Sequence, residues 1–423
     1  MSSMENENKN EKAVLVAVQT NESDTNFQYS LDELKHLVEN TGVEVVGVVT
    51  QKRDRVDNRT LIGKVKTEEL KTLVEELDAQ AVVFNQELSP SQVRNIQKAV
   101  DVKILDRIQV ILDIFALRAT SKEGSLQVQL AQLNYLLPRL VGHGINMSRL
   151  AGGIGTRGPG ETKLETDRRH INRQFTEIKK ELKKVEKHRN RVRQQRERSN
   201  LFRIGLIGYT NAGKSTVLNA LTGSQTYEKD ELFATLDPIT RKLELNSGLQ
   251  VTLTDTVGFI QDLPTQLIES FQSTLEESRD VDLLLHIVDA SAPNMETHQD
   301  TVLNILKDLE MDSIPLFTVY NKKDLVEESF YPTLFPNVII SAIDKDDQEI
   351  LLDKIEQAVQ QELMQYSVNI PSNRGDVLAK LNNETIISKE EFVQETQEYH
   401  VEGYTKDKKW IDFLFSNNKD NAQ

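Results

Sequence analysis

Apolar positions recur along this chain with three different periods, and each period predicts a different kind of element. Between residues 13 and 106, short valine-rich runs alternate with amphipathic stretches. Runs 13–19, 43–50, 81–84 and 102–105 read as buried strands. Stretches 30–40, 67–77 and 89–100 read as helices, the first opened by the capping-box pattern Ser30-Leu31-Asp32-Glu33. Strand alternating with helix predicts a small parallel α/β sheet. Two heptad stripes follow. One is Leu126, Leu130, Leu133, Leu137, Leu140; the other is Leu164, Ile171, Phe175, Ile178, Leu182, Val185, Val192, with Arg168 and Arg189 at the two polar seam positions. Two such stripes joined by one connection predict an antiparallel helical hairpin. Its second helix runs for about 37 residues, roughly 55 Å at 1.5 Å per residue. From 202 onward, strand patterns return at 202–207, 249–253, 315–320 and 338–340, and an amphipathic helix at 348–362 closes the region. The tail reads as a strand, a helix over 376–381 and two strands ending in Trp410-Ile411-Asp412-Phe413-Leu414-Phe415.

The expected architecture is α/β: a disordered N-terminus (1–12), an N-terminal α/β domain (13–115), a helical hairpin with a glycine-rich loop (116–201), a Ras-like phosphate-loop domain (202–366) and a small α+β C-terminal domain (367–423).

The chemistry lies at the ends of the later strands. Gly208-Tyr209-Thr210-Asn211-Ala212-Gly213-Lys214-Ser215 joins strand 202–207 to a helix beginning near Thr216. This is the Gly-x-x-x-x-Gly-Lys-Ser loop in the context that gives it meaning. Its amides and the helix N-terminus suit phosphate oxygens. Lys214 can neutralise β/γ-phosphate charge, and the Ser215 hydroxyl can ligate Mg²⁺. Asp255-Thr256-Val257-Gly258 ends the next strand, where a carboxylate can hold Mg²⁺ through water and the glycine amide can meet a γ-phosphate. Asn321-Lys322-Lys323-Asp324 ends a third. The Asp324 carboxylate suits the paired donors of guanine, which adenine lacks. The Asn321 amide can bridge to the phosphate loop, the Lys322 stem can cover a base face, and Ser341-Ala342-Ile343 can offer amides to guanine O6. The order and placement of these motifs predict a GTPase of the translation-factor-related class. The segment near 224–240 should sense the nucleotide; composition leaves Thr226, Thr235 and Thr240 open as its threonine.

Where many such enzymes carry a water-orienting glutamine, this chain has Phe259. Hydrolysis is therefore expected to be slow alone and stimulated by a partner or by a monovalent cation. Asn211 is the expected K⁺ ligand; the alternative for it is a turn residue.

Charge sharpens the picture. The formal net charge is −15, yet residues 163–203 hold fifteen Lys/Arg against six Asp/Glu. A basic rod in an acidic protein suits a polyanion, with a solvated helix face as the alternative. The connection 141–161 centres on Gly152-Gly153-Ile154-Gly155-Thr156-Arg157-Gly158-Pro159-Gly160, near His143 and Arg149. Such a loop suits close approach to RNA, a second nucleotide site or a flexible tip. Zero cysteines exclude disulfides and suit a reducing compartment. No apolar run is long enough to span a membrane, and no secretory signal is visible.

Three stretches are similar to one family: Ser121-Lys122-Glu123-Gly124 with Gln132-Leu133-Asn134-Tyr135-Leu136-Leu137-Pro138-Arg139-Leu140; residues 152–161 with Asp167-Arg168-Arg169; and Phe233-Ala234-Thr235-Leu236-Asp237. With the nucleotide motifs, the combination resembles HflX, ribosome-associated GTPases. The resemblance implies that the segment Phe233 to Asp237 joins the GTP contacts, that Thr235 is the switch threonine, and that Ser215 and Thr235 ligate Mg²⁺. It implies GTP/GDP and the large (50S) ribosomal subunit with its rRNA as partners. It also implies a role in splitting or rescuing stalled or idle ribosomes under stress. A monomer in the cytoplasm is expected, with peripheral membrane association as an alternative. Expected RNA contacts are Arg149, Arg157, Lys180, Lys184, Arg191 and Arg198. The rival functions are a GTP-gated rRNA remodeller or assembly factor, and a protein-binding switch without nucleic acid. Val65, in Gly63-Lys64-Val65-Lys66, stands where relatives carry a second glycine.

Overall fold

The computed structural model describes residues 11–140, 159–196, 200–223, 233, 238–256, 258–260, 279–326 and 331–416. They fall into two compact units. One runs to Val185 and takes in Phe233; the other holds the described residues from Glu186 on.

In the first unit, β1 (Lys12–Gln19), β2 (Glu44–Lys52), β3 (Ala81–Phe84) and β4 (Lys103–Asp106) form a parallel sheet in the order β2-β1-β3-β4. Every residue of β1 after Lys12 is buried, the mark of a strand covered on both faces. Four helices follow the strands: α1 (Asp24–Glu39), α2 (Lys64–Leu77), α3 (Pro90–Val100) and α4 (Arg107–Arg118). Two details differ from the sequence reading. Helix α1 begins at Asp24, not Ser30, because Ser23 Oγ caps it by accepting from Asn26 N at 3.2 Å. Ser30 sits inside the helix and accepts from Asn85 Nδ2 at 2.8 Å. A reciprocal capping box occurs instead at Ser89 and Gln92. Val65, in the first turn of α2, is 83% exposed.

A buried carboxylate organises the end of this sheet. Asp106 Oδ1 caps α4 by accepting from Gln109 N (3.1 Å) and also accepts the Tyr135 hydroxyl. Its Oδ2 accepts from Leu88 N and Arg139 Nη2, each at 3.0 Å. Burial and this carboxylate push the Tyr135 hydroxyl pKa up, keeping it a donor. Arg107 forms a buried ion pair with Glu33.

Both helices of the expected hairpin form: α5 (Lys122–Leu140) and α6 (Pro159–Arg196). Lys122 Nζ lies 3.4 Å from Glu181 Oε2, joining the start of α5 to the second half of α6, as an antiparallel pair requires. In α6, Ile171, Phe175, Ile178, Leu182 and Val185 are shielded while most neighbours are exposed. In α5 the most buried side chains are Gln127, Val128, Ala131 and Tyr135; of the predicted leucine stripe, Leu126, Leu130, Leu133 and Leu137 are only half-buried. Packing on α4 and the tie to Asp106 turn that face inward.

In the second unit, β5 (Phe202–Gly208), β6 (Ile239–Glu244), β7 (Gln250–Asp255), β8 (Leu283–Asp289), β9 (Leu316–Asn321) and β10 (Asn337–Ile339) form a sheet in the order β10-β9-β8-β5-β7-β6. Strand β6 runs antiparallel to β7, and the other pairings are parallel. Helices α7 (Lys214–Thr222), α8 (Met295–Asp308) and α9 (Lys345–Glu362) belong to the same unit. Its core gathers Ile204, Leu206, Val251, Leu253, Leu285 and Val319; truncating one such side chain costs about 2–5 kcal/mol.

The chain ends in an antiparallel sheet, β11 (Met364–Pro371), β12 (Ile386–Val393) and β13 (Glu398–Thr405), in the order β11-β13-β12. Helices α10 (Gly375–Glu384) and α11 (Lys408–Ser416) accompany it. The expected last strand, from Trp410, is therefore helix α11. Ile411 and Leu414 are buried together three residues apart, a helical spacing. Asn200, just ahead of β5, ties the start of that strand to this region: its Nδ2 donates to Glu384 O at 2.8 Å, and its Oδ1 accepts from Asp407 N at 3.1 Å.

Candidate active site

The chain runs from β5 toward β7 and from the adjacent β8 toward β9, so the connections leaving these two neighbouring strands diverge. A crevice at the carboxyl ends of parallel strands forms at such a switch point. The loop Gly208 to Lys214 fills it. Asn211 (φ +61°) and Gly213 (φ +95°) adopt left-handed backbone, which turns successive amides into one concavity. A Cβ at Gly213 would run into Asn321 Nδ2.

Lys214 is buried, and its Nζ donates to the carbonyls of Gly208 (3.2 Å) and Tyr209 (2.8 Å). Burial lowers its ammonium pKa to about 8. Ser215 Oγ donates to Asp255 Oδ2 at 2.8 Å, and that carboxylate has no exposure to solvent. A hydroxyl and a carboxylate in contact are hard oxygen donors suited to a divalent cation completed by phosphate and water. Among the described residues, no cluster of three or more His, Cys, Asp or Glu could hold a metal ion unaided. Thr256 Oγ1 donates to Leu206 O at 2.6 Å, and Thr216 lies in the first turn of α7.

Gly258 and Phe259 press on the loop. Phe259 N donates to Gly208 O (3.1 Å), and Thr210 N donates to Phe259 O (2.7 Å), so this segment pairs with the loop like a short parallel strand. The Tyr209 ring stacks on His298 at 3.8 Å between centroids. Burial lowers the His298 imidazole pKa to about 4, against the pull of Asp289, so the stack is neutral near pH 7.

The other half of the crevice is built by tethered loops. Asn321 Nδ2 donates to Ala212 O at 3.0 Å, while its Oδ1 accepts from Ala342 N at 2.9 Å. One side chain thus fixes the phosphate loop against the 341–343 turn. Lys322, with left-handed backbone, reaches Asp289 Oδ2 at 2.8 Å. Asp324 Oδ1 accepts from Ser341 Oγ at 2.5 Å. Lys323 points to Asp347 (2.8 Å), whose Oδ2 also accepts from Ser341 N at 2.7 Å. Burial raises the Asp347 pKa, but the bonds from Lys323 and Ser341 N outweigh it and hold the carboxyl below the usual range. Ile343 is exposed. The structure therefore brings together every described residue of the three motifs. Asp289, His298 and Asp347 join them without having been anticipated. Asp289 closes the apolar run of β8, as Asp255 closes β7, which is a usable signal. The other two had none.

Phe233 has a different place. Its ring is buried and meets Phe115 of α4 edge-on, 4.6 Å between centroids, within the first unit. Thr240 Oγ1 is 2.9 Å from Thr254 Oγ1 in the β6–β7 pair, which makes it a strand residue. Thr226, Ala234, Thr235, Leu236, Asp237, Val257, Arg149, Arg157 and Arg198 lie outside the described residues, as does the Arg191 side chain. Lys180 and Lys184 are exposed on α6. No described helix is long and apolar enough to cross a membrane.

Known proteins share these regions. Residues 28–116 match a family described as GTP-binding GTPase N-terminal, 118–196 one described as GTP-binding GTPase Middle Region, and 203–322 one described as 50S ribosome-binding GTPase. A protein named GTPase HflX from Alkalihalophilus pseudofirmus is 50% identical over 395 residues, 93% of either chain. Another of that name from Escherichia coli is 38% identical over 388 residues, 90% of either chain. A GTP-binding protein from Sulfolobus solfataricus, solved with GDP, is 24% identical with a TM-score of 0.45, covering 83% of this chain and 99% of that one.

Proposed function

The chain belongs to the GTPase HflX family and so binds and hydrolyses GTP; from that premise we propose that it works on the large (50S) ribosomal subunit, splitting or rescuing stalled or idle ribosomes under stress. One observation carries this reading: the match of residues 203–322 to a family described as ribosome-binding GTPases. The exposed lysines of α6 supply positive charge for rRNA phosphates, and the work belongs in the cytoplasm.

The crevice suggests how residues divide the labour. The amides of Gly208 to Thr216 take the phosphates, and Lys214 neutralises their charge. Ser215 and, through water, Asp255 would hold Mg²⁺, and the family resemblance adds Thr235 to the set. The bound ion would offset charge on the β- and γ-phosphates. Asn211 is the K⁺ ligand. Gly258 meets the γ-phosphate. Asp324 reads guanine, held by Ser341, while Asn321, Lys322, Ala342 and Ile343 frame the base.

Gradient sedimentation of purified 70S ribosomes with the protein tests the proposal. Splitting into subunits with GTP or a non-hydrolysable analogue, and not with GDP, is the expected result. Intact 70S particles in every state would overturn it. Subunit or rRNA binding without splitting would instead favour a GTP-gated remodelling or assembly factor.

A further inference from the structure

Hydrolysis needs a water held in line with the γ-phosphoryl group, and the side chain that follows Gly258 cannot hold it. Phe259 is 3% exposed, and its backbone is bonded to Gly208 and Thr210. Its ring offers no donor or acceptor. Among the described residues of the crevice, few side chains can offer a polar group in its place. The hydroxyls of Ser215 and Thr256 are taken, the first by Asp255 and the second by Leu206 O. The hydroxyl of Thr210 is not. Thr210 is 6% exposed, and its Oγ1 is buried without a hydrogen-bond partner among the described residues. A buried hydroxyl left unmet is costly, and in a native fold it calls for a reason.

Position supplies one. A Cβ built on Gly258 would lie 3.0 Å from Thr210 Cγ2, 3.1 Å from Thr210 Cα and 3.1 Å from Lys214 Nζ. The Thr210 side chain, the lysine that neutralises phosphate charge and the glycine backbone therefore converge on one point. One staggered step about χ1 brings the Thr210 hydroxyl to that point, with the methyl taking the hydrogen's place.

We propose that Thr210 is a catalytic residue of GTP hydrolysis, its Oγ1 accepting a hydrogen bond from the attacking water while donating to a γ-phosphoryl oxygen. This supplies from the phosphate loop what a glutamine after Gly258 supplies elsewhere, and it rests on the GTP site proposed above. The water oxygen bonds to the γ-phosphorus as the bond to the β–γ bridging oxygen breaks. GDP leaves with that electron pair, and the water proton ends on the released phosphate. Thr210 keeps its own proton.

The test compares the full chain with Thr210→Val, Thr210→Ala and Thr210→Ser. The readouts are single-turnover GTP hydrolysis, GDP affinity and affinity for GDP with aluminium fluoride, which mimics the phosphoryl group in flight. Val and Ala should each lower the hydrolysis rate about 10²-fold, the scale of losing one oriented hydrogen-bonding group. Both should weaken the aluminium fluoride complex in parallel and leave GDP affinity unchanged. Ser, which keeps the hydroxyl, should restore most of the rate. Wild-type turnover in the Val or Ala variant overturns the proposal, and so does a Ser variant as slow as Val. Loss of GDP binding in the variants also overturns it, by showing that Thr210 shapes the loop. Failure of the unaltered chain to bind GTP would instead overturn the underlying site.

Discussion

Replacing Asp106 with alanine tests the reading of the first unit most directly. The side chain accepts from four donors: Leu88 N (3.0 Å), Gln109 N (3.1 Å), Arg139 Nη2 (3.0 Å) and the Tyr135 hydroxyl. Losing the α4 cap costs about 1 kcal/mol. Stripping the partner from a buried charge costs about 3–5 kcal/mol. Arg139 belongs at the low end, because it keeps the carbonyls of Leu88 (2.8 Å) and Tyr135 (3.0 Å) and stays stacked over the Tyr135 ring. The orphaned Tyr135 hydroxyl adds about 1 kcal/mol. These losses share partners and do not sum cleanly. A total of about 4 kcal/mol is expected, or roughly a 10³-fold loss of hydrogen-exchange protection at β3, β4 and α5 when opening is sub-global. Native-state exchange on the full chain reads this out, with GTP affinity measured alongside. GTP affinity should not change, since Asp106 belongs to the other unit. A loss below about 1 kcal/mol would refute the hub. So would strict additivity of Asp106→Ala with Tyr135→Phe, because contacting residues must couple.

Other outcomes follow from the same structure. Asp324→Asn should weaken GTP binding at least about 10²-fold, through lost hydrogen bonds to a charged acceptor, and admit xanthosine nucleotides; nucleotide titration of the variant checks both. Lys214, with its pKa lowered to about 8 by burial, should be recharged by phosphates. Binding at pH 8 should then take up about half a proton, and affinity should fall as pH rises further. Calorimetry in two buffers of different ionisation enthalpy would show no uptake if that were wrong. Lys180→Glu with Lys184→Glu should reduce the salt dependence of ribosome co-sedimentation by roughly one unit of slope for each rRNA phosphate no longer neutralised, with GTP affinity intact. Sedimentation equal to wild type across a salt series would leave α6 a solvated spacer. Turnover faster in K⁺ than in Na⁺ should disappear in Asn211→Ala; equal turnover of the unaltered chain in both salts would remove the cation role.

What the sequence determined is whatever rests on near neighbours. Strands of period two, helices of period 3.6 and a glycine loop between a strand and a helix depend on a few adjacent residues. The four parallel strands of the first unit, the long α6 and the Lys214, Asp255 and Asp324 motifs were therefore legible. The run Trp410 to Phe415 was not, because six mostly apolar residues fit either period; packing of Ile411 and Leu414 into one core made it a helix. Helix α5 kept its predicted length but not its buried face, which the distant Asp106 carboxylate set through Tyr135 and Arg139. Phe233 sits on Phe115, a partner no local pattern could name. In the crevice, Asn321 reaches Ala212 across 109 residues of chain, and Asp347 reaches back to Lys323 and Ser341. Only the folded sheet, which brings five strand ends to one edge, decides such pairings. Among the described residues it also leaves one hydroxyl there, that of Thr210, buried and unmet.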